Sequence, residues 1–162
     1  MKSKLFNNLL LFSLFGIALG FFGMLYEGIV FVPKMLDNSM TRMLFWKDFY
    51  ATLNPLAYYI PLVPVATIVL IVLYFTTPIQ NAALKSRLKW AAIFQIAALI
   101  LTFYMVTQIN SKLLFSNIEK YAGVIPVKTL LLNIVSVIRA VIAALALVAT
   151  FKAYVQTVSG KN

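Results

Sequence analysis

Four long apolar runs, almost free of charge, constrain this chain more than any other feature. They cover residues 9–32, 55–75, 90–109 and 130–151. Each matches the ~20 residues that a helix needs to cross ~30 Å of hydrocarbon. None alternates with the period of a strand. A closed barrel would need many more segments than 162 residues supply. The fold class that follows is an all-α integral membrane protein, a four-transmembrane-helix bundle forming a single domain over residues 1–162. No repeat or low-complexity tract divides it.

The first run ends at Pro33, after which Lys34 returns the chain to water. Lys2 and Lys4 ahead of it imitate the start of a signal peptide. The run is too long for one, however, and no small-residue cleavage site follows early, so it reads as a retained span. In the second run Pro61 and Pro64 predict a kink.

Charge gives the orientation. Only 11% of residues are charged, against about 25% in a soluble domain. The net charge of +10 would suggest nucleic acid on a soluble protein, but here the cations flank apolar runs and face anionic headgroups. Membrane lipids are therefore the expected partners, and nucleic acid is not. With the N-terminus inside, Lys2, Lys4, Lys85, Arg87, Lys89, Lys152 and Lys161 are cytoplasmic, and Lys34, Arg42, Lys47, Lys112, Lys120 and Lys128 are outside. The dense Lys85–Arg87–Lys89 cluster favours N-in/C-in in a plasma or inner membrane. Both outer loops, residues 40–50 and 111–129, mix aromatic and charged residues as short amphipathic segments do.

Histidine and cysteine are both absent. That excludes disulfides, thiolate and imidazole chemistry, and His/Cys metal or haem sites, so no metal and no cofactor are expected. Only two of the 18 formal charges fall inside the runs, Glu27 and Arg139. A charge there costs about 3 kcal/mol or more unless it is paired or hydrated, which makes each a candidate functional residue.

Helical spacing gives their facing. Gly16, Gly20, Gly23 and Glu27 fall within roughly 60° of one another at ~100° per residue, a small-residue stripe ending in a carboxylate. Ser136, Arg139, Ala140, Ala143 and Ala146 share one side of the fourth run, with Asn133 at its edge. Glu27 and Arg139 then lie at comparable depth and form the obvious ion pair. Asn54 and Tyr58 share a face of the second run, and Gln95 and Thr102 a face of the third. The expected outward-facing polar pocket thus holds Asn54, Tyr58, Thr102, Asn133 and Ser136 around Glu27 and Arg139. Gln95 is expected to bond between helices, and Tyr50 to be an interfacial anchor.

These features resemble the anthrone-oxygenase-like family of small four-helix membrane proteins. The resemblance lies in the glycine-rich first run leaving through Glu27 and Pro33, in Asn54-Pro55, in Gln108-Ile109-Asn110, and in Asn133 through Arg139-Ala140. It implies a four-helix bundle and, for some members, oxidation of a polycyclic phenolic anthrone by dioxygen without metal or flavin. A carboxylate shielded from water is a stronger base than a hydrated one. Glu27 would take the acidic proton, and Arg139 would hold the enolate-like oxygen.

Two functions remain open at this level. One is binding, with or without catalysis, of a lipophilic aromatic or isoprenoid-like molecule between the helices. The other is a non-catalytic accessory or assembly subunit. It would form a homo-oligomer through Gly16, Gly20, Gly23, Ala140 and Ala143, with Glu27–Arg139 a structural ion pair. A transporter is disfavoured, because four runs are few and no inverted repeat is evident.

Overall fold

A computed structural model describes residues 3–37, 39–52, 61–114 and 117–159. Helix α1 covers Ser3–Tyr26 and continues through a π-turn, Glu27–Phe31, into a 3-10 turn, Val32–Leu36. Helix α2 is Met40–Thr52, α3 is Leu62–Thr76 and α4 is Ala82–Tyr104. A second π-turn, Met105–Asn110, a helical turn, Ser111–Leu113, and a 3-10 segment, Ile118–Val124, lead into α5, Ile125–Val158. No strand occurs among the described residues.

Helices α1, α3, α4 and α5 close a ring in that order, with α5 packing back against α1. Three stretches are long and apolar enough to cross a membrane: Lys4–Leu36, Ala82–Leu113 and Ile118–Val158. Helix α3 is equally apolar but has 15 residues, and residues 53–60 before it lie outside the described residues. Large apolar side chains such as Phe15, Phe22, Phe75, Phe103 and Val137 point away from the ring. Such an apolar outer surface suits lipid, not water. The chain is an all-helical bundle of membrane character.

The helices overrun the apolar runs that announce them. Helix α4 starts eight residues before Trp90, so Lys85, Arg87 and Lys89 are helical and not a loop. The Asn81 side chain accepts from Leu84 N–H at 3.2 Å and caps its first turn. Alanine, leucine, lysine and arginine then carry the helix without needing burial. Helix α5 likewise begins at Ile125, with Pro126 in its first turn, and outlasts Phe151 by two turns. Pro61 precedes the first described turn of α3 and Pro64 lies within it. The kink expected from them falls against residues 53–60, which lie outside the described residues.

The small-residue stripe is used within the chain. A Cβ added to Gly16 would lie 2.6 Å from Ala66 Cβ on α3, and one on Gly20 would lie 2.8 Å from Val63 Cγ2. Only glycine lets α1 and α3 approach this closely. On α5, Ala143 and Ala146 are buried and Ala140 is half-buried, as is Gly23 on α1. The middle of the bundle is consequently thin, with Met24, Ala98 and Ala143 as its core. Larger cores lie on either side, one beside the 3-10 turns and α2, the other towards the α3–α4 turn.

Candidate functional site

Arg139 sits where that thin middle meets the wider outer core. Its Nη2 donates to Glu27 Oε2 at 3.3 Å, and the arginine is only 5% exposed. Its Nη1 reaches Thr102 Oγ1 on α4 at 3.5 Å, the outer limit of a hydrogen bond. One guanidinium thus joins α1, α4 and α5. The Thr102 hydroxyl donates to Ala98 O at 2.8 Å, which leaves its lone pairs turned to the arginine.

The backbone departs from regular helix at this level twice. Glu27 opens the first π-turn, and the second, Met105–Asn110, begins one turn beyond Thr102. A π-turn adds a residue to the helical circuit and re-aims the side chains around it, often at functional sites. Here it swings the end of α1 toward α5. Asn133 secures that path, its amide donating to Val32 O at 3.2 Å and to Thr129 O at 2.9 Å. Asn133, expected in the pocket, thus braces one element against another through its amide nitrogen.

Helix α2 brings an aromatic cluster against Phe31, one turn beyond Glu27, and buries Met43, Trp46 and Tyr50, spaced three and four residues apart. Phe31 meets the Trp46 ring at 5.4 Å and the Phe49 ring at 5.5 Å, and Trp46 meets Phe49 edge-on at 5.6 Å. Edge and offset contacts of this kind add to simple burial. The 3-10 segment Ile118–Val124 packs beside α2. Both connections therefore lie at the same end, the first as the helix Met40–Thr52 and the second with the 3-10 segment Ile118–Val124.

Tyr50 belongs to the site, not to an exposed interfacial belt. It is 8% exposed, and burial pushes its phenol well above the ordinary value of 10. The negative charge of Glu27 adds to the rise and the positive charge of Arg139 opposes it, so the phenol lies within electrostatic reach of both. The i, i+3, i+7 spacing of Met43, Trp46 and Tyr50 was the available sequence signal.

Beneath the pair lies a cavity of about 30 Å³. Gln95, Thr102 and Arg139 give it a polar side, and Met24, Val63, Ala98 and Leu99 an apolar one. The expected interhelical bond from Gln95 is not made through its carbonyl oxygen, which has no partner among the described residues. Ser136 is buried one turn from Arg139, its hydroxyl also without a partner. Asn54 and Tyr58 lie outside the described residues. The structure thus unites Glu27, Arg139 and Thr102, places Ser136 nearby, and adds Tyr50. Among the described residues no cluster of His, Cys, Asp or Glu could hold a metal ion.

No family model, no curated protein and no solved structure matches this chain. The resemblance to the anthrone-oxygenase-like family therefore rests on its own residues.

Proposed function

We propose that this chain is a four-span membrane protein, N-in/C-in in a plasma or inner membrane. It receives a lipophilic aromatic or isoprenoid-like molecule on the outer side of its bundle. One observation carries the reading: among the described residues, Glu27–Arg139 at 3.3 Å is the one buried ion pair, and an aromatic cluster around Phe31 and Trp46 lies next to it along the chain. These rings offer flat apolar contact to a ring system, and Arg139 offers a charged donor to an oxygen on it.

The chemistry that the family resemblance implies fits these groups. Glu27 takes the acidic proton of an anthrone, and Arg139 holds the resulting enolate oxygen. The electron-rich carbon then reacts with dioxygen, the sum being anthrone plus O₂ to anthraquinone plus water. At rest the two side chains hold each other, so the substrate oxygen must replace the carboxylate at Arg139 before Glu27 acts. Tyr50, neutral and close by, is the group that would donate to the displaced carboxylate.

Oxygen uptake by the protein in lipid vesicles, with an anthrone or a hydroquinone, tests the reading. Uptake is expected with the wild type and is lost in Glu27→Gln and in Arg139→Leu variants that still fold. Full activity in both folded variants would remove the site. A pair that is only structural would give no uptake in any form, and no small molecule in mass spectra of the purified protein.

A further inference from the structure

Helices α1 and α5 leave a groove between them on the apolar, lipid-facing surface of the bundle. It holds about 390 Å³ and is wholly apolar, with Leu11, Leu14, Phe15 and Ala18 on the α1 side and Val148 and Phe151 on the α5 side. Phe15 and Phe151 are exposed and form its rims, while the small, half-buried Ala18 gives it depth. From Leu11 to Ala18 the groove follows α1 for ~10 Å at 1.5 Å per residue, most of the ~15 Å thickness of one leaflet. A hydrocarbon chain fits such a trough.

Charge at one end of the groove says what lies in it. Lys4 precedes Leu11 by seven residues and Lys152 follows Val148 by four, so each stands on the groove side of its helix. The two helices run antiparallel, Leu10 sharing a core with Ala153 and Met24 with Ala143, which brings both lysines to the same end. Both are exposed, and among the described residues neither forms an ion pair. Arg87 adds a third cation there, its Nη1 donating to Lys152 O at 2.7 Å. The acids of the chain are Glu27, Asp37, Asp48 and Glu119, none of them within α1, α3, α4 or α5. No acidic side chain of these helices therefore neutralises the cations. A second copy of the chain fails as occupant, because its own α1 and α5 would set cations against cations. A zwitterionic lipid brings a cation of its own. We propose that the α1–α5 groove is a site for an anionic phospholipid. One acyl chain lies along Leu11–Ala18, and Lys4 and Lys152 receive the phosphodiester, their long stems carrying the ammonium groups to headgroup depth. The site lies in the opposite half of the bundle from Glu27–Arg139 and is independent of any lipophile bound there.

Native mass spectrometry of the full chain tests it, with the protein released from vesicles of dioleoyl phosphatidylglycerol and dioleoyl phosphatidylcholine in equal parts, with added oleate. Phosphatidylglycerol is expected to stay bound in several-fold excess over phosphatidylcholine. Lys4→Gln/Lys152→Gln is expected to abolish that preference. Ala18→Leu, which fills the groove, is expected to lower the retained lipid several-fold. Lys34→Gln/Lys120→Gln removes the same charge from exposed positions at the other pole and is expected to leave the preference intact. Equal retention of the two phospholipids by the wild type overturns the proposal, as does oleate retained in place of a phospholipid. So does a preference that falls as far in Lys34→Gln/Lys120→Gln as in Lys4→Gln/Lys152→Gln, or lipid retention that Ala18→Leu leaves unchanged. If Ala18→Leu does not fold, the two lysine pairs decide alone.

Discussion

Arg139 holds three helices together through one side chain, and removing it is not the same as removing the pair. Breaking a buried ion pair from one side strands the other charge and typically costs about 3–5 kcal/mol, whereas replacing both partners with apolar groups is often neutral. Arg139→Leu is therefore expected to lose about 3 kcal/mol of stability in detergent unfolding, and Glu27→Leu/Arg139→Leu to recover most of it. A double variant as unstable as the single would show that Arg139 stabilises through Thr102 and packing instead. Tyr50 gives a second test, read at high pH. The unfolded chain gives up this proton near 10, before the folded chain does. Stability is thus intact below that pH and falls as pH rises above it, by at most about 1.4 kcal/mol per unit for one group. Tyr50→Phe should remove that share of the alkaline slope and leave the profile below pH ~9 unchanged. Glu27 and Arg139 were legible in the sequence because a charge inside an apolar run is conspicuous by itself. Tyr50, and the bond from Asn133 to Val32 O, were not. The first depends on a helix folding back against the bundle, and the second on where the turns after α1 carry the chain.

At the scale of elements, the apolar runs located the helices but not their ends. Burial sets where a run stops being greasy, while hydrogen bonding and capping set where a helix stops, and Asn81 and Pro126 govern the latter. Gly16 and Gly20 of α1 make a close approach, and spacing alone could not say to which neighbour. That neighbour is α3. Gly16→Ala places a methyl 2.6 Å from Ala66 Cβ, and relieving the clash forces the helices apart. Overpacking of this kind costs typically ~1–3 kcal/mol. Ala66→Gly in the same chain should restore most of the loss, because it removes the atom that the new methyl strikes. The comparison is a thermal unfolding series of the two single variants and the double. No rescue by Ala66→Gly would mean that α1 and α3 do not meet at these residues in the membrane.

For the whole molecule, antiparallel packing puts the N-terminus of α1, the α3–α4 turn and the end of α5 at one pole of the bundle. Lys4, Lys85, Arg87 and Lys152 gather there, and Arg87 Nη1 donates to Lys152 O at 2.7 Å, tying α4 to α5. The opposite pole carries α2, the 3-10 segment and the acids Asp37, Asp48 and Glu119. The opposite pole also holds Lys34, Arg42, Lys47, Lys112, Lys120 and Lys128, so it is the dense Lys85–Arg87–Lys89 cluster on which the proposed cytoplasmic placement of the first pole rests. The chain has no cysteine, so single cysteines report topology without background. Asp37→Cys and Lys120→Cys should react with a membrane-impermeant maleimide on intact cells, and Ile79→Cys and Ser159→Cys only after lysis. The reverse pattern would invert the bundle and turn the ion pair toward the cytoplasm. Equal access at residues 37 and 79 would mean that α3 does not cross. The Glu27–Arg139 pair would then sit at the mouth of a three-span protein, reached by ligands from water and not from lipid.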